Sequence, residues 1–139
     1  MKPTETGAER IFRFQLDLRS GVPVYRQLID QVLAGRAAGL LGTGDQLPTV
    51  RQVAVDLSIN PNTVARAYRE LEIRGVLETH QGTGTFIGEQ PVERDEVERQ
   101  RRLGQIVSEF VARAGAEGFT VQEIVERLND TRSDSQQRK

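Results

Sequence analysis

The stretch Thr49-Val50-Arg51-Gln52-Val53-Ala54-Val55-Asp56-Leu57-Ser58-Ile59-Asn60-Pro61-Asn62-Thr63-Val64-Ala65-Arg66-Ala67-Tyr68-Arg69-Glu70-Leu71 contains two helix starts close together. Thr49, with Gln52 three residues on, has the capping-box spacing, and Val50, Val53, Ala54 and Leu57 then form one apolar face. This predicts a helix of about two turns. Three residues later Asn60 offers an N-cap oxygen, and Pro61 suits the first helical position, where an N–H would have no partner anyway. Val64, Ala67, Tyr68 and Leu71 repeat the buried pattern until Gly75 closes the second helix. Two short helices with so brief a turn between them form a helix-turn-helix pattern.

Downstream, Val76–His80 and Thr85–Ile87 read as short strands joined by Gln81-Gly82-Thr83-Gly84, a glycine-bearing hairpin. The same glycines would suit a phosphate cradle, but no helix follows them, and a hairpin needs them in any case. The hairpin is therefore expected to be a wing, with His80 a polar residue at its strand end. Upstream, Tyr25, Leu28, Ile29, Val32, Leu33 and Leu40 step by three and four, which predicts a first helix ended by the glycine-rich loop Gly39–Gln46. Before it, after a turn over Ser20–Pro23, Phe12–Leu18 alternates apolar and polar, the period of a half-buried strand. A charge run, Glu93–Arg102, reads as a solvated helix face. Leu103, Ile106, Val107, Phe110, Val111 and Ala114 continue that helix to a turn at Gly115 and Gly118. Thr120 and Glu123 cap a last helix whose apolar side is Val121, Ile124, Val125 and Leu128. The polar tail beyond Asn129 is expected to be disordered.

Composition narrows the function. With 139 residues the chain has room for one domain and a small further element. An apolar fraction of 37%, a charged fraction of 28% and a mean hydropathy of −0.48 describe a soluble protein. No run spans a bilayer, and Met1–Arg10 holds no apolar core of a signal sequence, so a cytoplasmic location without membrane contact is expected. Having no cysteine and a single histidine, the chain offers no disulfide or thiol nucleophile and is a poor zinc binder; no metal and no cofactor are expected. No paired carboxylates or Ser/His set mark a catalytic site, so an enzyme is not expected. A formal net charge of −1 means that any grip on nucleic acid must be local rather than a bulk basic field.

A local site is available. On a helical wheel the apolar residues of the second helix centre on one direction, Asn62, Arg66 and Arg69 fall opposite, and Thr63 lies at the edge. Asparagine pairs bidentately with adenine, arginine with guanine, and threonine meets a thymine methyl or a phosphate. Arg51, in the first turn of the preceding helix, is placed to reach a neighbouring phosphate. Gln81, Gly82 and Thr83 at the wing tip are candidate contacts beside the groove. The alternative is a winged helix used as a protein-interaction module without specific DNA readout. Its outward face should be apolar, which Asn62, Arg66 and Arg69 are not. Ile73, also outward, is left unexplained by a DNA face alone.

Taken together, Pro23-Val24-Tyr25-Arg26-Gln27-Leu28, Leu47-Pro48-Thr49-Val50-Arg51, Asn60-Pro61-Asn62-Thr63-Val64, Ala67-Tyr68-Arg69-Glu70-Leu71-Glu72, Gly75 and Gly82-Thr83-Gly84-Thr85-Phe86-Ile87 resemble the GntR family of winged-helix regulators. The Asn-Pro-Asn-Thr start and a tail of about fifty residues resemble its YtrA-like subfamily. One departure is Ser58, where the family usually has glycine. The resemblance implies that Arg51, Asn62, Thr63, Arg66 and the wing around Gly82 contact DNA. It also implies a small or absent ligand site, with neighbouring transporter operons as frequent targets. The expected fold is mainly α with a small β wing: a winged helix-turn-helix followed by two C-terminal helices. The expected domains are a flexible N-terminus (1–10), the DNA-binding domain (11–88), a helical dimerisation element (89–130) and a disordered tail (131–139). One recognition helix reads only a few base pairs, so a homodimer on a near-palindromic double-stranded DNA operator is expected, most simply as a repressor of its own operon or a neighbouring transporter operon. The dimer contacts would be Leu103, Ile106, Val107, Phe110, Val121, Ile124 and Leu128. The sequence does not say whether there is a small-molecule effector or which it would be.

Overall fold

Both helix starts form where the caps place them in the computed structural model, which describes residues 12–91 and 94–137. Among these residues the elements are α1 (Val24–Ala37), β1 (Gln46–Leu47), α2 (Val50–Leu57), α3 (Pro61–Ile73), β2 (Leu77–His80), β3 (Gly84–Ile87), α4 (Glu96–Ala116) and α5 (Val121–Gln137). The chain divides into two units, the first ending at Gln90 and the second running from Pro91. In the first, Thr49 Oγ1 accepts the Gln52 N–H at 3.0 Å and so caps α2. The Gln52 side chain does not complete a capping box, since its amide donates to Asp56 Oδ1 instead. Asn60 Oδ1 accepts the Asn62 N–H at 2.8 Å, with Pro61 at the first position of α3. Between the two helices Ser58 takes the left-handed conformation at φ 55°, ψ 48°, the geometry in which glycine is favoured.

The core sits where α1 crosses α3. Leu28, Ile29 and Val32 of α1 and Val64, Ala67 and Leu71 of α3 are each 1% exposed or less, and each large apolar side chain so buried contributes roughly 1.5–3 kcal/mol. Val53 and Ala54 of α2, Leu47, Leu77 and Ile87 of the sheet, and Leu41 complete it. Tyr68 enters the same core with its hydroxyl donating to the Pro48 carbonyl at 2.5 Å. That bond ties the middle of α3 to the residue before the α2 cap. Burial pushes the Tyr68 phenol well above its usual range, so it remains a protonated donor.

The sheet is three-stranded and antiparallel in the order β1-β3-β2. Leu77 pairs with Ile87, Glu78 with Phe86, Thr79 with Thr85 and His80 with Gly84, while Gln46 and Leu47 of β1 pair with Phe86 and Thr85. β1 lies at the end of the stretch expected to be loop. A two-residue strand has no period for a sequence pattern to show.

Several expectations need correction. Phe12–Leu18 forms no strand, although Phe14 is buried and Phe12 and Leu16 pack on the core. Its backbone is held by side chains instead: Gln31 Oε1 accepts the Gln15 N–H and Gln27 Oε1 accepts the Asp17 N–H, both at 2.9 Å. The two amide groups donate back to the Gln15 and Asp17 carbonyls. Four residues of helix, about 6 Å of rise, match two extended residues, about 6.6 Å, so glutamines at i and i+4 stand in for a neighbouring strand. Leu18 ends this segment exposed. Leu40 lies beyond α1, and Leu41 is the buried residue. Phe86 is half-buried and sits edge-on to His80 at 5.1 Å between centroids, while its neighbour Ile87 is buried in the core. The tail expected to be disordered is helical to Gln137 as part of α5. Residues 1–10, expected to be flexible, and 138–139 lie outside the described residues.

In the second unit Thr120 and Glu123 form a reciprocal capping box at the start of α5. α4 is laced by Glu–Arg pairs one turn apart: Arg99 with Glu96, and Arg101 and Arg102 with Glu98. The Arg101 hydrogen bonds hold the Glu98 carboxyl below the usual carboxylate range. Such pairs keep an exposed helix formed in water. They leave its apolar side bare: α4 buries no residue, and Ile106 is 63% and Phe110 50% exposed.

The buried phenol sets a pH prediction. A folded-state pKa above the unfolded value means that the native chain holds the proton more tightly, so stability is complete below the ordinary 10.0 of tyrosine and falls as the pH rises beyond it. Denaturant titrations should show Tyr68→Phe less stable than the parent by about 1 kcal/mol at neutral pH, with a gap that narrows above the ordinary tyrosine value. A gap constant up to strongly alkaline pH would contradict the buried hydrogen bond.

Candidate nucleic-acid interface

α3 offers one face to the core and the other to solvent, and the candidate reading residues occupy the second. Asn62 and Arg66, one turn apart, are exposed, as is Arg69, and Thr63 is half-buried at the edge. Arg51 is exposed in the first turn of α2. Among the described residues none of Arg51, Arg66 and Arg69 has a carboxylate within ion-pair distance, whereas Arg74, one residue past α3, pairs with Glu70. A cation with no internal partner keeps its donors for a phosphate or a base edge.

Arg66 departs from the expectation in one respect. Its guanidinium does not point freely away from the core but lies over the ring of Tyr25 on α1, with Cζ 3.7 Å from the centroid. Tyr25 was read as part of the buried stripe; it is half-buried, and its ring supports Arg66. A helical wheel gives the direction of Cβ but not where a long side chain lies down, so the sequence did not show this contact.

The wing is braced from two sides. On β2 the Thr79 hydroxyl donates to the Glu72 carboxylate of α3. At its tip the Thr83 N–H donates to the His80 carbonyl at 2.9 Å, and Gln46 of β1 donates its side-chain amide to the Thr83 carbonyl at 3.1 Å. Gln81, Gly82 and Thr83 are exposed between these supports. Gly84 has φ +136°, and a Cβ there would come within 2.5 Å of the Gln46 amide nitrogen. Gln46 is a site residue that sequence reasoning missed, because its role depends on the short β1–β3 pairing.

The candidate site thus has a supported helix face, a flanking cation and a hairpin fixed to the same helix, the arrangement for reading a major groove while touching the adjoining backbone. The residues expected in the dimer element, Leu103, Ile106, Val107, Phe110, Val121, Ile124 and Leu128, lie in the second unit; Ile124 is half-buried and the others are exposed. Among the described residues no group of three or more His, Asp or Glu side chains could hold a metal, and no helix is long and apolar enough to cross a membrane.

Residues 22–87 match the model of the bacterial regulatory proteins of the gntR family. The chain is 36% identical over 110 residues to the uncharacterized HTH-type transcriptional regulator YhcF of Bacillus subtilis, covering 79% of this chain and 90% of that protein. It is 47% identical over 75 residues to the HTH-type transcriptional repressor YtrA of the same organism. That match covers 54% of this chain and 58% of YtrA, so the aligned part is little more than half of that relative. Among solved structures, YtrA from Sulfolobus acidocaldarius, described as a GntR-family transcription factor, superposes with a TM-score of 0.51 at 31% identity, covering 87% of this chain and 97% of that one.

Glycine at position 84 is required by the backbone itself. Gly84→Ala should lower stability by about 1–3 kcal/mol and weaken DNA binding, as read by chemical denaturation and by titration of a bound duplex. Gln46→Ala should cost far less stability, since it removes one exposed hydrogen bond. Equal losses would place the cause in the lost Gln46–Thr83 hydrogen bond rather than in φ.

Proposed function

Because the chain belongs to the GntR family of bacterial regulatory proteins, we propose that it acts as a YtrA-like repressor that binds a near-palindromic operator as a homodimer. Transcription regulation through a DNA-binding helix-turn-helix, rather than catalysis, comes with the family. The finer reading rests on one observation above all: an exposed α3 face whose arginines, with Arg51 beside them, have no carboxylate partner among the described residues. In this reading Asn62, Arg66 and Arg69 meet base edges, Thr63 and Arg51 meet phosphates, and Gln81, Gly82 and Thr83 contact the backbone or minor groove beside them. The setting is the cytoplasm, and the targets are the chain's own operon or a neighbouring transporter operon. A protein-interaction module would instead call for an apolar face.

Dimerisation through α4 and α5 is supported by what those helices leave uncovered. Leu103, Ile106, Val107, Phe110, Val121 and Leu128 repeat at helix spacing yet stay about half exposed or more. An apolar stripe of that length in water calls for a partner, and a second copy provides one by symmetry. Two linked recognition helices then read two half-sites one helical turn apart.

The reading face is tested by selecting bound oligonucleotides from a random pool and titrating the recovered site. Asn62→Ala and Arg66→Ala should each cost about 1–3 kcal/mol of specific binding and relax preference at particular positions. Arg51→Ala should weaken all sequences alike. Failure to recover any motif would remove the specific-repressor reading.

Truncation after Gly88 tests the other half. The first unit has its own core, so the fragment should stay folded, though marginally at that size. It should sediment as a monomer and lose a factor on the order of 10² in operator affinity, while weak half-site binding persists. A fragment that stayed dimeric would move the interface into the winged domain.

A further inference from the structure

We propose that Tyr25, on α1 and outside the helix-turn-helix, is a specificity-determining positioning residue: its ring pre-orients the Arg66 guanidinium for one base pair of each half-site. The inference rests on the DNA-reading assignment above and deepens it. Three observations carry it. The first is the stack itself, with Arg66 Cζ 3.7 Å from the Tyr25 ring centroid, a separation at which a planar cation lies face to face with the ring. The second is that stacking uses the face of the guanidinium and leaves its edge. Guanine O6 and N7 are read in the plane by that edge, and among the described residues no carboxylate takes it. The third is that the ring is mounted beside the buried crossing of α1 and α3. Tyr25 sits on α1 just before Leu28, Ile29 and Val32, which pack with Val64 and Leu71 of α3 at 1% exposure or less.

The physical gain is pre-organisation. A free arginine loses rotamer freedom when it is fixed on a base, and that loss weakens correct and incorrect contacts alike. A ring that already fixes the guanidinium plane removes part of the loss and adds direction: only a base pair presenting two acceptors in that plane is rewarded. Arg69, without a comparable aromatic support, should discriminate less sharply.

The test uses the full-length chain, pool selection, and competition between the recovered operator and duplexes with single base-pair changes. Arg66→Ala first identifies the position that Arg66 reads. Tyr25→Leu should flatten preference at that same position by about two- to five-fold, the worth of an exposed cation–π contact, and leave other positions unchanged. Tyr25→Phe and Tyr25→Trp, which keep a ring, should retain the preference; they also keep the test decisive if the leucine variant folds poorly, because loss of preference in a folded Phe variant would overturn the proposal. In the Arg66→Ala background, Tyr25→Leu should change no base preference. The proposal fails if Tyr25→Leu leaves the Arg66 position untouched, or if it weakens every sequence equally, as a phosphate contact or a packing role would. It also fails alone if Arg66→Ala changes no preference while Asn62→Ala still does. Absence of any selected motif in the parent would instead overturn the DNA-reading assignment itself.

Discussion

The buried hydrogen bond from the Tyr68 hydroxyl to the Pro48 carbonyl joins the three parts that a DNA site must hold in register. Tyr68 is mid-way along α3, and Pro48 is the residue between β1 and the α2 cap. One bond therefore connects the recognition helix, the start of the helix that carries Arg51, and the strand that pairs with the wing. A phenol kept protonated by burial is a donor at any physiological pH, and in a low-dielectric core it is costly to leave either partner unsatisfied. The Thr79–Glu72 bond adds a direct connection between β2 and α3. Recognition helix and wing are thus parts of one braced body rather than two elements that meet on DNA.

What could be read in the sequence divides along the range of the interactions. Thr49, Asn60 and Thr120 act on backbone groups two or three residues away, and each cap lies where it was expected. The α3 stripe is likewise a property of one helix against one core. Other features escape the sequence because their partners are distant along the chain. Phe12–Leu18 has the period of a strand but bonds to glutamine side chains of α1, and periodicity reports which face is buried, not what satisfies the backbone. Phe86 and Ile87 are neighbours in a strand of period two, and which of them faces the core is decided only by the register with Leu77 and Glu78. The Tyr25–Arg66 stack links α1 to α3 across some forty residues and left no local mark.

Charge is distributed by the same logic. A chain of net charge −1 cannot hold DNA by bulk attraction, so which arginines are already paired matters more than how many there are. On α4 Arg99, Arg101 and Arg102 are spent on Glu96 and Glu98 one turn away. The arginines of the α2 and α3 reading face have no such partner among the described residues. A helix standing largely in water needs internal pairs to stay formed, whereas α3 is already fixed by its core face and can leave its cations unpaired. Packing on one side of a helix thus frees its other side for recognition.

That division bears on why the two units differ so much in burial. The first unit spends its apolar residues on fixing geometry: α3 has four buried side chains and a wing tied to it. The second spends almost none internally, since α4 buries nothing along its length. If α4 and α5 served only to finish the fold, their stripes would be covered within the chain; left bare, they are free to close on a second copy. A recognition helix that reads a few base pairs gains more from a fixed partner at a set spacing than from further contacts of its own, because linkage multiplies two modest affinities without new chemistry at the groove. In the proposed reading the face can then remain small and locally cationic on a chain that is nearly neutral overall, with discrimination coming from a few well-supported side chains such as an arginine laid over a tyrosine ring.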